Sequence, residues 1–245
     1  MRNILLTIAY DGTEYCGWQE QLNGISVAAK INGAIESLTG KRSKLYGSGR
    51  TDSGVHALAQ KANFKTEFSG DCDRITAGLN FYLPEDIRVL SCAEVSEDFN
   101  ARFNAKSKTY IYKIYNSPIL SPFYINRAWH IKYPLNVGAM RRAAWEMEGE
   151  RDFTSFMASG SPVKSAVRNL SRLSVSRSAE IIEVSATANG FLYNMVRIIV
   201  GTLVYTGMGK LTPEDIKPIL QAQNRAAAAP TAPARGLYLK EVVYG

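Results

Sequence analysis

The chain has 245 residues, enough for one large domain or two smaller ones with cores of their own. Hydrophobic residues make up 46% and charged residues 21%, a globular balance, and no apolar run approaches the length of a membrane span. Lys and Arg number 29 against 22 Asp and Glu; the net charge of +7 favours polyanionic partners, nucleic acid before membrane. Acids gather between Glu67 and Asp98, whereas bases gather at Lys41–Arg50, Arg102–Lys113 and Lys164–Arg177, so one basic face would place a nucleic acid on a single side. Cys16, Cys72 and Cys92 are odd in number and widely spaced, and only His56 and His130 join them. That pattern argues against a zinc site and a disulfide framework, and it fits a reducing cytoplasm. Met1–Tyr10 has too short an apolar stretch for a signal peptide, so a cytoplasmic location without membrane attachment is expected.

In chain order, Asn3–Tyr10 reads as a buried strand that ends in the turn Tyr10-Asp11-Gly12-Thr13. The aromatics of Tyr15-Cys16-Gly17-Trp18-Gln19 could stack on bases or simply pack the loop. Ser26 is placed to cap a helix over Val27–Leu38, with Val27, Ile31, Ala34, Ile35 and Leu38 as its apolar stripe and Gly40 as its stop. A strand-like run, Lys44-Leu45-Tyr46, leads into Gly47-Ser48-Gly49-Arg50-Thr51-Asp52-Ser53-Gly54-Val55-His56, and a second strand over Gln60–Thr66 leads out. Three glycines within eight residues allow a sharp turn and close approach of another molecule. Arg50 suits a phosphate or a planar base; Asp52 could be a base, a nucleophile or the arginine's partner. The spacing is neither a dinucleotide fingerprint nor a Walker loop, and many Gly-rich turns of this composition are only turns.

Asp71 or Asp73 is placed to cap a helix through Leu79, and Asp86–Val95 reads as a strand. The order strand–helix–strand–strand–helix–strand is the split βαβ arrangement of ferredoxin-like and RNA-recognition sheets. Glu97–Lys106 reads as a polar crossing between two halves, 1–98 and 99–245. Lys108–Tyr115 alternates most clearly, with Lys108, Tyr110 and Tyr112 on one face. Ala128–Ile131 is a short strand, Asn136–Met147 a helix, and Arg168–Val175 with Glu180–Ala188 a hairpin pair. Phe191–Gly201 reads as an apolar helix containing Arg197, which must find an acid or reach water. Thr212 and Pro213 open a final helix, Ala226–Ala234 is a small-residue linker, and Gly236–Leu239 begins a last strand.

The string Gly47–Ala57 resembles the signature Gly-x-Gly-Arg-Thr-Asp-x-Gly-Val-His-Ala of the tRNA pseudouridine synthases of the TruA type, with Ser53 where alanine is usual. Further blocks resemble that family in order. They are Tyr10-Asp11-Gly12 with Gly17-Trp18-Gln19, the Lys108-x-Tyr110-x-Tyr112 strand, Gly149-x-x-Asp152-Phe153-Thr154-Ser155-Phe156, Met195-Val196-Arg197-x-x-Val200-Gly201, and Gly236-Leu237. The resemblance implies an α+β pseudouridine synthase fold: two ferredoxin-like, RRM-like lobes with mainly antiparallel sheets and a central RNA-binding cleft. It implies isomerisation of uridine to pseudouridine at nucleotides 38, 39 and 40 of the tRNA anticodon stem-loop, by a homodimer and without a cofactor. The carried-over catalytic set is Asp52, Tyr110 and Arg197, the arginine pairing with Asp52. The carried-over RNA-binding set is Arg50, Thr51, Gly54, His56, Tyr10, Asp11 and Trp18. Two other readings stay open at this level: the same chemistry at another RNA position, and an RNA-binding module without catalysis.

Overall fold

The structure is a computed structural model that describes residues 1–22, 24–160 and 163–245. Its principal elements are β1 (Arg2–Tyr10), α1 (Val27–Thr39), β2 (Tyr46–Gly47), β3 (His56–Thr66), α2 (Cys72–Tyr82) and β4 (Ile87–Val95). These are followed by β5 (Ala105–Asn116), β6 (Trp129–Ile131), α3 (Val137–Met147), β7 (Gly149–Asp152), β8 (Val167–Ser178) and β9 (Ile181–Ala188). The last three are α4 (Met195–Gly207), α5 (Ile216–Gln221) and β10 (Leu237–Tyr244). Strand pairings are mostly antiparallel, as expected of the α+β class. Among the described residues no helix is long and apolar enough to cross a membrane.

Two compact units divide the chain: Met1–Lys106 with Tyr238–Gly245, and Ser107–Leu237. This differs from the expected division at 98/99 in two respects. Residues 99–106 stay with the first unit because its strands bind them: Asn3 Nδ2 donates to Phe99 O at 3.0 Å, Ala101 N donates to Asn63 Oδ1 at 2.8 Å, and the Tyr244 hydroxyl donates to Ala101 O at 2.8 Å. The last strand also returns to the first unit, where β10 pairs parallel with β3 at Tyr238↔His56 and Leu239↔Ala57.

In the first unit the order is β4-β1-β3, with β2 and β10 both pairing β3 at different points along it. This is the split βαβ topology read from the sequence. Alternation on β1 sends Ile4, Leu6 and Ile8, each fully buried, toward the helices. Val27, Ile31 and Ile35 of α1 and Ile75 and Leu79 of α2 complete that core. The capping residues act as their chemistry requires. Ser26 accepts from Ala29 N at 3.2 Å and Gly40 closes α1 at φ 74°; Asp71 accepts from Arg74 N at 2.8 Å at the start of α2.

In the second unit the order is β5-β9-β8-β7, all antiparallel, with β6 parallel to β5. Helix α4 is buried at every residue except Arg197 and Tyr205. It begins at Met195 rather than Phe191, because Asn194 takes a left-handed conformation at φ 59° that a helix cannot continue through. The final helix is split: a single 3-10 turn, Pro213–Asp215, carries the Thr212–Asp215 capping box and α5 follows.

The stretch expected as a linker is a strap packed on α4. Ala228, Ala229 and Ala232 are buried, Ala229 N donates to Thr202 Oγ1 at 3.3 Å, and Ala232 N donates to Arg197 O at 3.1 Å. A Cβ on Gly201 would fall 1.9 Å from the Pro230 carbonyl oxygen, so only glycine lets the strap lie this close. Gly201→Ala must therefore lift the strap and should cost about 3 kcal/mol in urea unfolding. An unchanged midpoint would show that the strap yields freely.

Candidate active site

The Gly47–His56 loop is fixed by the groups beneath it. At its start, Ser48 is fully buried; Ser48 N donates to Lys61 O at 2.7 Å and Ser48 Oγ to Gln60 Oε1 at 2.6 Å. Gln60 Nε2 in turn donates to Gly49 O at 2.9 Å. In the middle, Thr51 O accepts from Trp18 N at 3.0 Å, and Thr51 Oγ1 lies 2.8 Å from the Tyr10 hydroxyl. At the end, Val55 N donates to Asp52 O at 3.1 Å, closing a tight turn whose Gly54 sits at φ 74°. Gly54 N and Ser53 Oγ both donate to Tyr15 O, at 3.3 and 3.2 Å.

Two glycines outside the loop make this anchoring possible. A Cβ on Gly12 would fall 2.0 Å from Val55 O, and one on Gly17, at φ 110°, would fall 2.5 Å from Thr51 O. Main chain thus lies directly on main chain on both sides of Asp52. Trp18 rests in the same way on Gly47, where a Cβ would fall 2.4 Å from its Nε1.

Tyr10, Thr51, Trp18 and His56, carried over as RNA-binding residues, are all buried under or within the loop. The His56 ring stacks on Tyr238 with centroids 4.6 Å apart, and Gly12 N donates to its Nδ1 at 3.0 Å, beside Asp11 Oδ1 at 3.1 Å. Asp11 Oδ1 also accepts from Thr13 N and Thr13 Oγ1, at 3.1 and 2.5 Å. Of the loop's own side chains, Arg50 and Ser53 are exposed and Asp52 is partly so. Support therefore comes from the buried residues, and their more exposed neighbours Arg50, Asp52 and Ser53 are presented outward.

In the second unit, Tyr110 of β5 is 8% exposed and meets Phe191 edge-to-face at 5.1 Å. Tyr112, two residues on, is fully buried; its hydroxyl donates to Pro233 O at 2.8 Å and its ring covers Gly236. Arg197, in the first turn of α4, donates from Nε to Ala232 O and from Nη1 to Asn194 Oδ1, each at 2.8 Å. The guanidinium is thereby aimed by the strap and by the left-handed Asn194. Sequence reading missed Asn194, Ala232, Gln60 and Tyr238 as supports. Asn194 lies within a recognised block, but its role rests on a backbone angle that no residue type announces. Among the described residues, no group of three or more His, Cys, Asp and Glu side chains is placed to hold a metal ion.

Burial pushes the Tyr112 phenol well above its ordinary value, while Arg197 and Arg235 pull weakly the other way. The folded protein thus keeps a proton that the unfolded chain releases above about pH 10, so this contribution to stability is complete below that pH and is lost as pH rises beyond it. Tyr112→Phe should leave a shallower loss of unfolding free energy between about pH 10 and 11.5, at a cost of about 1 kcal/mol at neutral pH for the missing hydroxyl bond. An identical alkaline slope in urea titrations of both proteins would exclude Tyr112 as its source.

A family model described as tRNA pseudouridine synthase matches residues 6–104 and 143–245. The tRNA pseudouridine synthase A of Thermoanaerobacter sp. (strain X514) is 44% identical over 244 residues, and that of Caldicellulosiruptor saccharolyticus is 48% identical over 244. The tRNA pseudouridine synthase A of Acetivibrio thermocellus is 46% identical over 244 residues, and in all three cases the match covers 100% of both chains. With a family model matching most of the chain and relatives 44–48% identical along its whole length, the chain belongs to the tRNA pseudouridine synthase family.

Proposed function

We propose that this enzyme isomerises uridine to pseudouridine at nucleotides 38, 39 and 40 of the tRNA anticodon stem-loop, with Asp52 as the nucleophile. The observation that carries the reading is a partly exposed carboxylate on a loop pinned on either side of it by buried, hydrogen-bonded Thr51 and Val55. The bond from uracil N1 to the ribose breaks, the ring turns, and C5 joins the sugar. The proton on C5 leaves to solvent and N1 gains one, so nothing is oxidised and no external group is transferred. A carboxylate suffices for covalent catalysis of such a step, whether it attacks the ribose carbon or the ring, or assists a glycal route.

In this scheme Asp52 reacts ionised and Arg197 is the cation that favours the charged form and fixes its position. Tyr110 stacks on the uracil or moves a proton. A uridine within a stem must first leave it, which costs a few kcal/mol. Arg50, exposed on the loop, fills the gap or holds the displaced phosphate. Asp11 and Gly54 complete the RNA-facing set, while Tyr10, Thr51, Trp18 and His56 serve it by keeping the loop's backbone in place. Recognition of the anticodon arm is by shape and phosphate, consistent with the +7 charge, and a homodimer handles a single tRNA.

The deciding experiment uses unmodified tRNA tritiated at uracil C5. Wild type should release tritium to water, and Asp52→Ala should bind the same tRNA yet release none; full release by the variant would remove the nucleophile. Mapping the product nucleotides then tests the assignment to 38, 39 and 40. Arg197→Lys keeps the charge but cannot hold Ala232 O and Asn194 Oδ1 together, so kcat should fall about 10- to 100-fold with tRNA affinity little changed. An unchanged rate would separate Arg197 from Asp52.

A further inference from the structure

Away from the Gly47–His56 loop, two cysteine sulfurs adjoin. Cys72 is the first residue of α2, and Cys92 lies on β4 opposite Leu6 of β1, on the face that carries the buried side chains toward the helices. The fold therefore brings together two thiols that sit 20 residues apart in sequence: the Cys92 thiol donates to Cys72 Sγ across 2.8 Å. A disulfide bond is about 2.05 Å long, so the two sulfurs already lie near bonding distance. Both thiols are free and half-buried, as is Cys16, which is not part of the pair.

The surroundings make the two sulfurs unequal. Burial, then the hydrogen bond to Cys72, pushes the Cys92 thiol up; Asp73 adds to this and Arg2 opposes it. Arg2 is held beside them by Glu94 and by the carbonyls of Phe68 and Gly70, in the loop that enters α2. Cys92 is the hydrogen-bond donor of the pair and Cys72 the acceptor. Two sulfurs without a third ligand do not make a tetrahedral metal site, and no larger cluster exists among the described residues.

We propose that Cys72 and Cys92 form a dithiol modification site that a peroxide oxidises to an intramolecular disulfide. The Cys72 sulfur attacks one peroxide oxygen as its thiol gives up its proton; the O–O bond breaks, the Cys72 sulfenic acid forms, and the leaving hydroxide takes that proton to become water. Cys92 then attacks the Cys72 sulfur, the S–S bond forms, the S–O bond breaks, and the departing hydroxide leaves as water with the Cys92 proton. Two thiols lose two electrons to one peroxide, and two waters are released. The bond ties the first turn of α2 to β4.

The test uses the whole folded protein treated with hydrogen peroxide. Its intact mass should fall by two hydrogen atoms, peptide mapping should join Cys72 to Cys92, and Cys16 should still alkylate. The thermal midpoint should rise by about 5 °C and return on adding dithiothreitol. Cys92→Ser should stop the reaction at a Cys72 sulfenic acid that dimedone traps, and Cys72→Ser should abolish both products. Full alkylation of Cys72 and Cys92 after peroxide, or a disulfide that uses Cys16 or a second chain, would overturn the proposal. The wild-type map decides this even if a serine variant folds poorly.

Discussion

Backbone lying directly on backbone is the constraint from which the site follows. A carboxylate presented at a surface sits on an open loop, and an open loop ordinarily moves. Here the conflict is resolved below the loop rather than around the side chain. Gly12 and Gly17 let the carbonyls of Val55 and Thr51 approach to distances at which a Cβ could not exist. Asp52 sits between those two points of contact. Trp18 N, Ser48 and Gln60 add hydrogen bonds that hold the rest of the loop.

The second unit uses the same device for Arg197. Gly201 admits the Pro230 carbonyl, the strap settles on α4, and Ala232 then accepts from Arg197 Nε. Small residues in the strap are a steric requirement rather than a sign of flexibility. A positive charge that would be costly within an apolar helix is placed in the first turn, where carbonyl and amide oxygens receive it. Tyr112 belongs to the same assembly, because its hydroxyl binds Pro233 O at the end of that strap.

Elements governed by neighbours in sequence were legible. Ser26 and Gly40 bracket α1 because caps act within one turn, and the alternation over Lys108–Tyr115 marks β5 because side-chain direction in a strand has period two. Elements governed by distant partners were not. The strand after the loop begins at His56 rather than Gln60, since β10 and β1 pair with its first residues. Buried Tyr10, Thr51, Trp18 and His56 look like ligand-binding residues in a motif, because burial under a loop leaves no trace in residue type. Asp52, Tyr110 and Arg197 stood out through whole motifs, whereas their supports at Asn194, Ala232 and Tyr238 required coordinates.

The pairing of β10 with β3 also bears on how the protein comes to be made. Tyr238 and Leu239 join His56 and Ala57 across roughly 180 residues, so the edge beside the Gly47–His56 loop stays unpaired until that long intervening segment has left the ribosome. Closing so long a span is a late and slow event, because little local structure rewards it beforehand. During synthesis the first unit can gather its helices on β1, β3 and β4, but the stack under His56 is still missing. A translation intermediate that stops short of Tyr238 would thus carry the entire signature and still lack the ring that stacks on His56.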